Sequence, residues 1–331
     1  MVNIRTLCLF GILISTNFFC VAAQYSIVFV HLGNRLPDYL NNALAQARLF
    51  NPEADIYLVQ NQGALATEQD HACIEQRAIK VVFSESLPMS RAHRDFVKNS
   101  PLDNNYREGF WKKASERFFC LEEFIKAHHL SHVFHLENDV MLYANLKEML
   151  PVFYQYLNIA AVFDNDERCI PSFMYIAHES AITDLVQFFA DKTALSLNDM
   201  QLPALYKKCY GRDAIDHLPL IMPSYTEQNR LKSAMGHIPV DDSLYYHKFN
   251  QFNSIFDAAA LGQYLGGIDP RNGESKPGFI NESCLFDPSK CIFEWILDEV
   301  GRKVPHICYG HEKYRINNLH IHCKNLRLFA S

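Results

Sequence analysis

Apolar runs rich in β-branched residues alternate along the chain with segments whose apolar residues recur at helical spacing. Tyr25 to Leu32 (YSIVFVHL) is stopped by Gly33-Asn34 and predicts a buried strand. From Pro37 to Phe50, apolar residues at Tyr39, Leu40, Ala43, Leu44, Ala47 and Leu49 predict a helix that Asn51-Pro52 ends. Ala54 to Gln60 predicts a second strand and Ala78 to Phe83 a third, with the polar cluster Asn61-Gln62-Gly63 read as the turn after the second. The order strand, helix, strand, turn, strand predicts the first half of a parallel, helix-flanked sheet in an α/β domain.

Residues 84–109 are polar and aperiodic and predict a surface loop region. Phe110 to His128 predicts an amphipathic helix with Phe110, Ala114, Phe118, Leu121, Phe124 and Ile125 on one face. His132 to Leu136 predicts a strand that runs directly into Glu137-Asn138-Asp139. Further strands are expected at Ile159–Phe163 and Ser172–Ala177, and helices at Ile182–Asp191 and Leu202–Cys209. Asp241 to Asn281 mixes Asn, Gln, Tyr and Gly with apolar residues, a mixture that often lines a ligand cleft. Pro305 to the end predicts a short strand-like tail containing INNLHIHCKN. No repeat, low-complexity segment or linker divides residues 24–331, which read as one domain.

The 331 residues are 49% hydrophobic and 21% charged, the composition of a globular protein with a sizeable core. Thirty-one Lys and Arg against thirty-seven Asp and Glu give a formal charge of −6, which argues against a general nucleic-acid binder. The first 23 residues have Arg5 as their only charge, an apolar stretch from Leu7 to about Phe19, and Val21-Ala22-Ala23 before Gln24. They read as a cleaved signal peptide, the rival being a short signal anchor. Either directs the chain into a secretory pathway, and only an uncleaved anchor would bind a membrane. Eight cysteines follow Ala23, an even number that permits disulfides in an exported chain, with Cys284 and Cys291 the best local pair. No CxxC pair is present, which speaks against a structural zinc site of that kind. Asn281-Glu282-Ser283 is a glycosylation sequon.

Three segments carry candidate chemistry. Glu137 and Asp139 follow an apolar strand, and in α/β sheets ligands lie beyond the carboxyl ends of the strands. Such oxygen ligands suit Mg2+ or Mn2+ bridging a diphosphate, although a turn residue beside a solvated acid has the same spacing. His320 and His322, two apart on a strand, face one side and would complete a metal held by Asp139; Lys324 would neutralise phosphate. Asp257 precedes three alanines, which allow close approach of a ligand or backbone, and would act as a base or as a helix cap. Asp269 follows a Gly-Gly turn. The glycine-rich dinucleotide and phosphate loops, the G-x-S-x-G elbow and H-E-x-x-H are all absent.

Together these segments resemble the GT-A nucleotide-diphospho-sugar transferases from about Tyr25 to Lys324, more in order than in identity. The resemblance implies a Rossmann-like, mixed but mostly parallel sheet flanked by helices. It implies Mn2+ or Mg2+ on a nucleoside-diphosphate sugar, held by Asp139 and Glu137, where Glu replaces the family's usual first Asp. His320 or His322 would be the further metal ligand. His31, Gly33, Asn61 and Lys324 would contact the nucleotide, and Arg117 is a lesser candidate for the phosphates. Asp257, then Asp269, would be the base if the transfer inverts. The expected function is metal-dependent transfer of a sugar to a glycan, protein or lipid hydroxyl in a lumenal or secreted setting. Two alternatives are a secreted carbohydrate-binding protein without turnover, suited by the aromatic content, and a metal-dependent hydrolase. The second is disfavoured because Glu137 and Asp139 lie too close together to flank a scissile bond.

Overall fold

The computed structural model describes residues 25–103, 105–231, 233 and 240–331. The expected signal segment, residues 1–23, lies outside the described residues. The first half runs β1 (Ser26–His31), α1 (Leu40–Phe50), β2 (Asp55–Gln60), α2 (Glu68–Gln76), β3 (Lys80–Phe83), α3 (Arg91–Asn99), α4 (Phe110–Ala127), β4 (Val133–Leu136), β5 (Val140–Leu142) and α5 (Leu146–Phe153). There follow β6 (Ile159–Asn165), β7 (Arg168–Ile176), α6 (Glu179–Asp191), α7 (Gln201–Tyr210), β8 (Ile215–His217) and α8 (Pro223–Gln228). The last part is α9 (Phe249–Phe252), β9 (Ser254–Ile255), α10 (Ala260–Gly266), β10 (Ile292–Leu297), β11 (Lys303–Tyr309), β12 (Glu312–Ile316) and β13 (Asn318–His320).

Seven strands form the central sheet in the order β3-β2-β1-β4-β7-β6-β8. The pairs β1–β2, β2–β3, β1–β4 and β6–β8 are parallel, and β7 runs antiparallel to both β4 and β6. The expected α/β class and mostly parallel, helix-flanked sheet are therefore present. The chain leaves β1 toward β2 and returns on the other side as β4. The strand order thus reverses between β1 and β4, and a crevice opens beyond their carboxyl ends.

Apolar burial explains the central elements. Ile27, Val28 and Phe29 of β1 and Phe134 and Leu136 of β4 are fully buried. Phe134, Phe153, Phe173, Tyr175 and Phe256 pack ring against ring beside β4 and β7. In α4 the predicted face holds for Phe118, Leu121, Phe124 and Ile125, whereas Phe110 is exposed and Ala114 half-buried.

Three readings are corrected. The stretch after Gln60 is more than a turn, because it contains α2. That helix buries only Asp70 and is held by a capping box in which Thr67 and Asp70 exchange hydrogen bonds, with Asn41 donating to Asp70 at 2.6 Å. Residues 84–109 contain α3, capped by Ser90, whose buried face is Ala92, His93 and Phe96. α2 shows no apolar stripe, and that of α3 is short, limited to Ala92, Phe96 and Val97 beside His93. The strand-like tail likewise resolves into β11, β12 and β13, which join a four-stranded sheet β10-β11-β12-β9 and a two-stranded one, β13-β5.

All eight cysteines among the described residues are free, so the expected disulfides are absent, the Cys284–Cys291 pair included. Cys284 instead donates to Asp164 Oδ2 at 3.5 Å. Among the described residues no helix is long and apolar enough to cross a membrane.

Candidate active site

β4 ends at Leu136, and a tight turn closed by Val140 N–H on Glu137 C=O at 3.1 Å carries both acids into the crevice. β5 then pairs antiparallel with β13, setting His320 opposite Val140 and Leu319 opposite Met141. Ile321 N–H donates to Asp139 C=O at 2.9 Å and extends this pairing. A segment 181 residues away in sequence thus lies against the acidic turn.

Glu137, Asp139 and His320 each offer one ligand atom, all within 4.8 Å of one another. His320 Nε2 lies 3.0 Å from Glu137 Oε2 and 3.3 Å from Asp139 Oδ1. Its Nδ1 faces Ala258 C=O at 2.8 Å, so that nitrogen carries a proton and Nε2 is the one directed at the acids. Lys324 pairs with the other oxygen of Asp139. Arg117, on α4, bridges Glu137 and Asp199, at 2.9 Å from the latter. It is a largely buried cation held between two carboxylates, and not a solvated surface residue.

The electrostatics follow from this crowding. Burial raises the Glu137 carboxyl, but Arg117 and His320 hold it below the ordinary carboxylate range. Burial also opposes charge on Asp139, and Lys324 and His320 hold it well below its usual value. Burial alone would lower His320, yet the facing carboxylates hold it well above an ordinary histidine. Two carboxylate oxygens and one oriented imidazole nitrogen form a donor set that fits Mn2+ or Mg2+. The His322 ring lies tilted against that of His320 with centroids 4.1 Å apart, and its buried Nε2 has no hydrogen-bond partner.

The nucleotide candidates lie at the end of β1. Asn61 Oδ1 accepts from Gly33 N–H at 2.8 Å. A cavity of about 370 Å3 opens there, lined by Gly33, Asn34, Asn61, Glu85, Lys113 and Glu116 among others. His31 is joined to the acidic turn through Asn138 Nδ2 at 3.3 Å, and its buried Nε2 is unpartnered. A Cβ on Gly33 would lie 2.9 Å from that nitrogen, so the glycine lets the imidazole fold back under the loop.

The two base candidates are both engaged. Asp257 is fully buried; its Oδ1 accepts from Leu261 N–H at 3.0 Å and its Oδ2 from Gly262 N–H and His320 N–H, each at 2.9 Å. It therefore ties α10 to β13 and holds His320 in place. Burial pushes its carboxyl up to about 6, against the pull of these N–H groups and His320. Asp269 is buried against Arg271, which donates to both its oxygens, with Arg107 at 3.7 Å.

Sequence reasoning missed three supports. Asn318 exchanges two hydrogen bonds with the Asp257 backbone, at 3.2 and 3.0 Å. Gly262 allows α10 to touch β13, for an added Cβ would lie 1.8 Å from His320 C=O. Asp199 shares Arg117 with Glu137. Only the small residues before Gly262 hinted at close packing. The sequon residue Asn281 is half-buried, with its amide donating to Gln263 at 3.0 Å.

No protein-family model and no curated protein matches the chain. Among solved structures, the chain is similar to mouse xyloside xylosyltransferase 1 in its apo form, with 10% identity over 62% of this chain and 90% of that one and a TM-score of 0.41. An active-site mutant of the galactosyltransferase LgtC gives 14% identity, 68% and 83% coverage and a TM-score of 0.44. A cytidylyltransferase from Leptospira borgpetersenii gives 10% identity, 59% and 76% coverage and a TM-score of 0.37. At these scores the likeness leaves the functional reading to the geometry of the site.

Proposed function

We propose that the chain is a metal-dependent glycosyltransferase that moves a sugar from a nucleoside-diphosphate donor to an acceptor hydroxyl. The observation that carries this reading is the convergence of Glu137, Asp139 and His320 at the switch point of the sheet, with Lys324 beside them. Glu137, Asp139 and His320 Nε2 would hold Mn2+ or Mg2+, with His322 next to them. When bound, the ion would supply positive charge for a diphosphate leaving group. Lys324 adds a fixed cation on the same side. Arg117 keeps Glu137 ionised, and Asp257 orients His320 through its backbone. The cavity between Gly33, Asn61 and Lys113 would take the nucleotide. The acceptor is a glycan, protein or lipid hydroxyl, and the setting is lumenal or secreted.

The test is product analysis of the purified chain with UDP- and GDP-sugars, Mn2+ and a mixture of acceptors. Transfer that Asp139→Asn abolishes supports the reading; release of free sugar alone would make the chain a hydrolase. A second reading, donor or glycan binding without turnover, draws its support from the engagement of both Asp257 and Asp269. Metal-dependent nucleotide binding with no product would select it.

A further inference from the structure

A second cluster of donor side chains lies between α3 and α4, where the proposed transfer chemistry does not use it. On α4, Glu116, Cys120 and Glu123 fall at positions i, i+4 and i+7 and so share one face. From α3, His93 enters this face, its backbone N–H held by the Ser90 cap at 3.1 Å. His93 Nδ1 lies 2.9 Å from Glu123 Oε1, and Nε2 lies 3.1 Å from Glu116 Oε1. His93, Cys120 and Glu123 are buried, and one donor atom of each lies within 4.8 Å of the others. Phe119 stacks on the imidazole at 5.3 Å and Phe96 on Phe119 at 4.8 Å, which screens this side from water.

We propose that His93 Nδ1, Cys120 Sγ and Glu123 form a metal centre for a thiophilic divalent ion of the zinc type, which pins α3 to α4. Three features carry it. The donors are one nitrogen, one sulfur and one carboxylate oxygen, a set that Zn2+ takes and hard Mg2+ does not. Two carboxylates and a thiol face a single imidazole in a buried place, which leaves room for positive charge. Glu116 accepts from the other nitrogen of the same ring, the carboxylate–histidine arrangement that orients metal-bound imidazoles. The absence of CxxC spacing does not oppose this, because helix packing assembles the set from two elements. Binding would release the Nδ1 proton of the imidazolium and the Sγ proton of the thiol to solvent. Glu116 also lines the cavity at the end of β1, so the ion would fix one wall of that cavity.

The test is Co2+ loading of the untagged full chain, read by absorption. A thiolate-to-cobalt charge-transfer band is expected in the wild type and in Asp139→Asn, and is lost in Cys120→Ser and in His93→Gln. The centre at Glu137, Asp139 and His320 contains no sulfur and gives no such band, so failure here is distinct from failure of the transferase reading. Zn2+ should also raise the melting temperature of Asp139→Asn by mass action. A folded wild type with no charge-transfer band overturns the proposal, whether or not the variants fold. So does a band that survives both Cys120→Ser and His93→Gln, which would place the ion on another cysteine.

Discussion

His320 sits where it does because Asp257 holds its backbone, Ala258 holds its Nδ1, and Gly262 leaves space behind it. Each of these supports predicts an outcome. Gly262→Ala puts a methyl group into His320 C=O, and overpacking of this kind costs about 1–3 kcal/mol. Its denaturant midpoint should fall, and metal affinity should fall with it. Arg117→Met leaves Glu137 and Asp199 without their shared cation, and breaking a buried ion pair on one side costs about 3–5 kcal/mol. Thermal melting checks it. Asp139→Asn removes one metal ligand and the partner of Lys324 while keeping the shape, so turnover should fall by more than about a hundredfold, with little change in the circular dichroism. The acids and histidines were legible in the sequence because the first follow an apolar strand and the second alternate on one. The role of Asp257 was not, since its partners are backbone N–H groups that no residue type announces.

At the scale of elements, strands and long helices were legible wherever burial is apolar. β1 and β2 are rich in β-branched residues, β4 is mostly apolar and buried throughout, and α4 carries five aromatic or aliphatic residues on its buried side. α2 and α3 escaped notice because caps and polar contacts hold them. For α3 the contact is a histidine between carboxylates, which makes the joint sensitive to pH. Burial disfavours the His93 charge, but Glu116 and Glu123 on α4 outweigh it and push the imidazole up to about 9 from an ordinary 6.5. The folded value exceeds the unfolded one, so this stabilisation is complete below about pH 6.5 and is lost as pH rises through about 9. With chelator present, the melting temperature should decline across that window, and His93→Gln should flatten the decline. Cys120, whose thiol is pushed well above its usual value by burial and the same two carboxylates, is the other titratable group in this cluster.

For the whole molecule, the sheet order places a crevice at the ends of β1 and β4, and the chain's last strand returns to close it. The first half of this arrangement follows from local pattern. The second does not, because the pairing of β5 with β13 joins segments separated by most of the domain and each is only three residues long. That pairing alone turns a weak acidic motif and a pair of histidines into one donor set. The most direct measurement is the melting temperature of the chain with UDP and with GDP, each with and without Mn2+, in the wild type and Asp139→Asn. One nucleotide should raise the wild-type value only when Mn2+ is present, with no rise in Asp139→Asn. A nucleotide shift that ignores both Mn2+ and Asp139, or no shift with either nucleotide, would contradict a metal-dependent donor site at Glu137, Asp139 and His320.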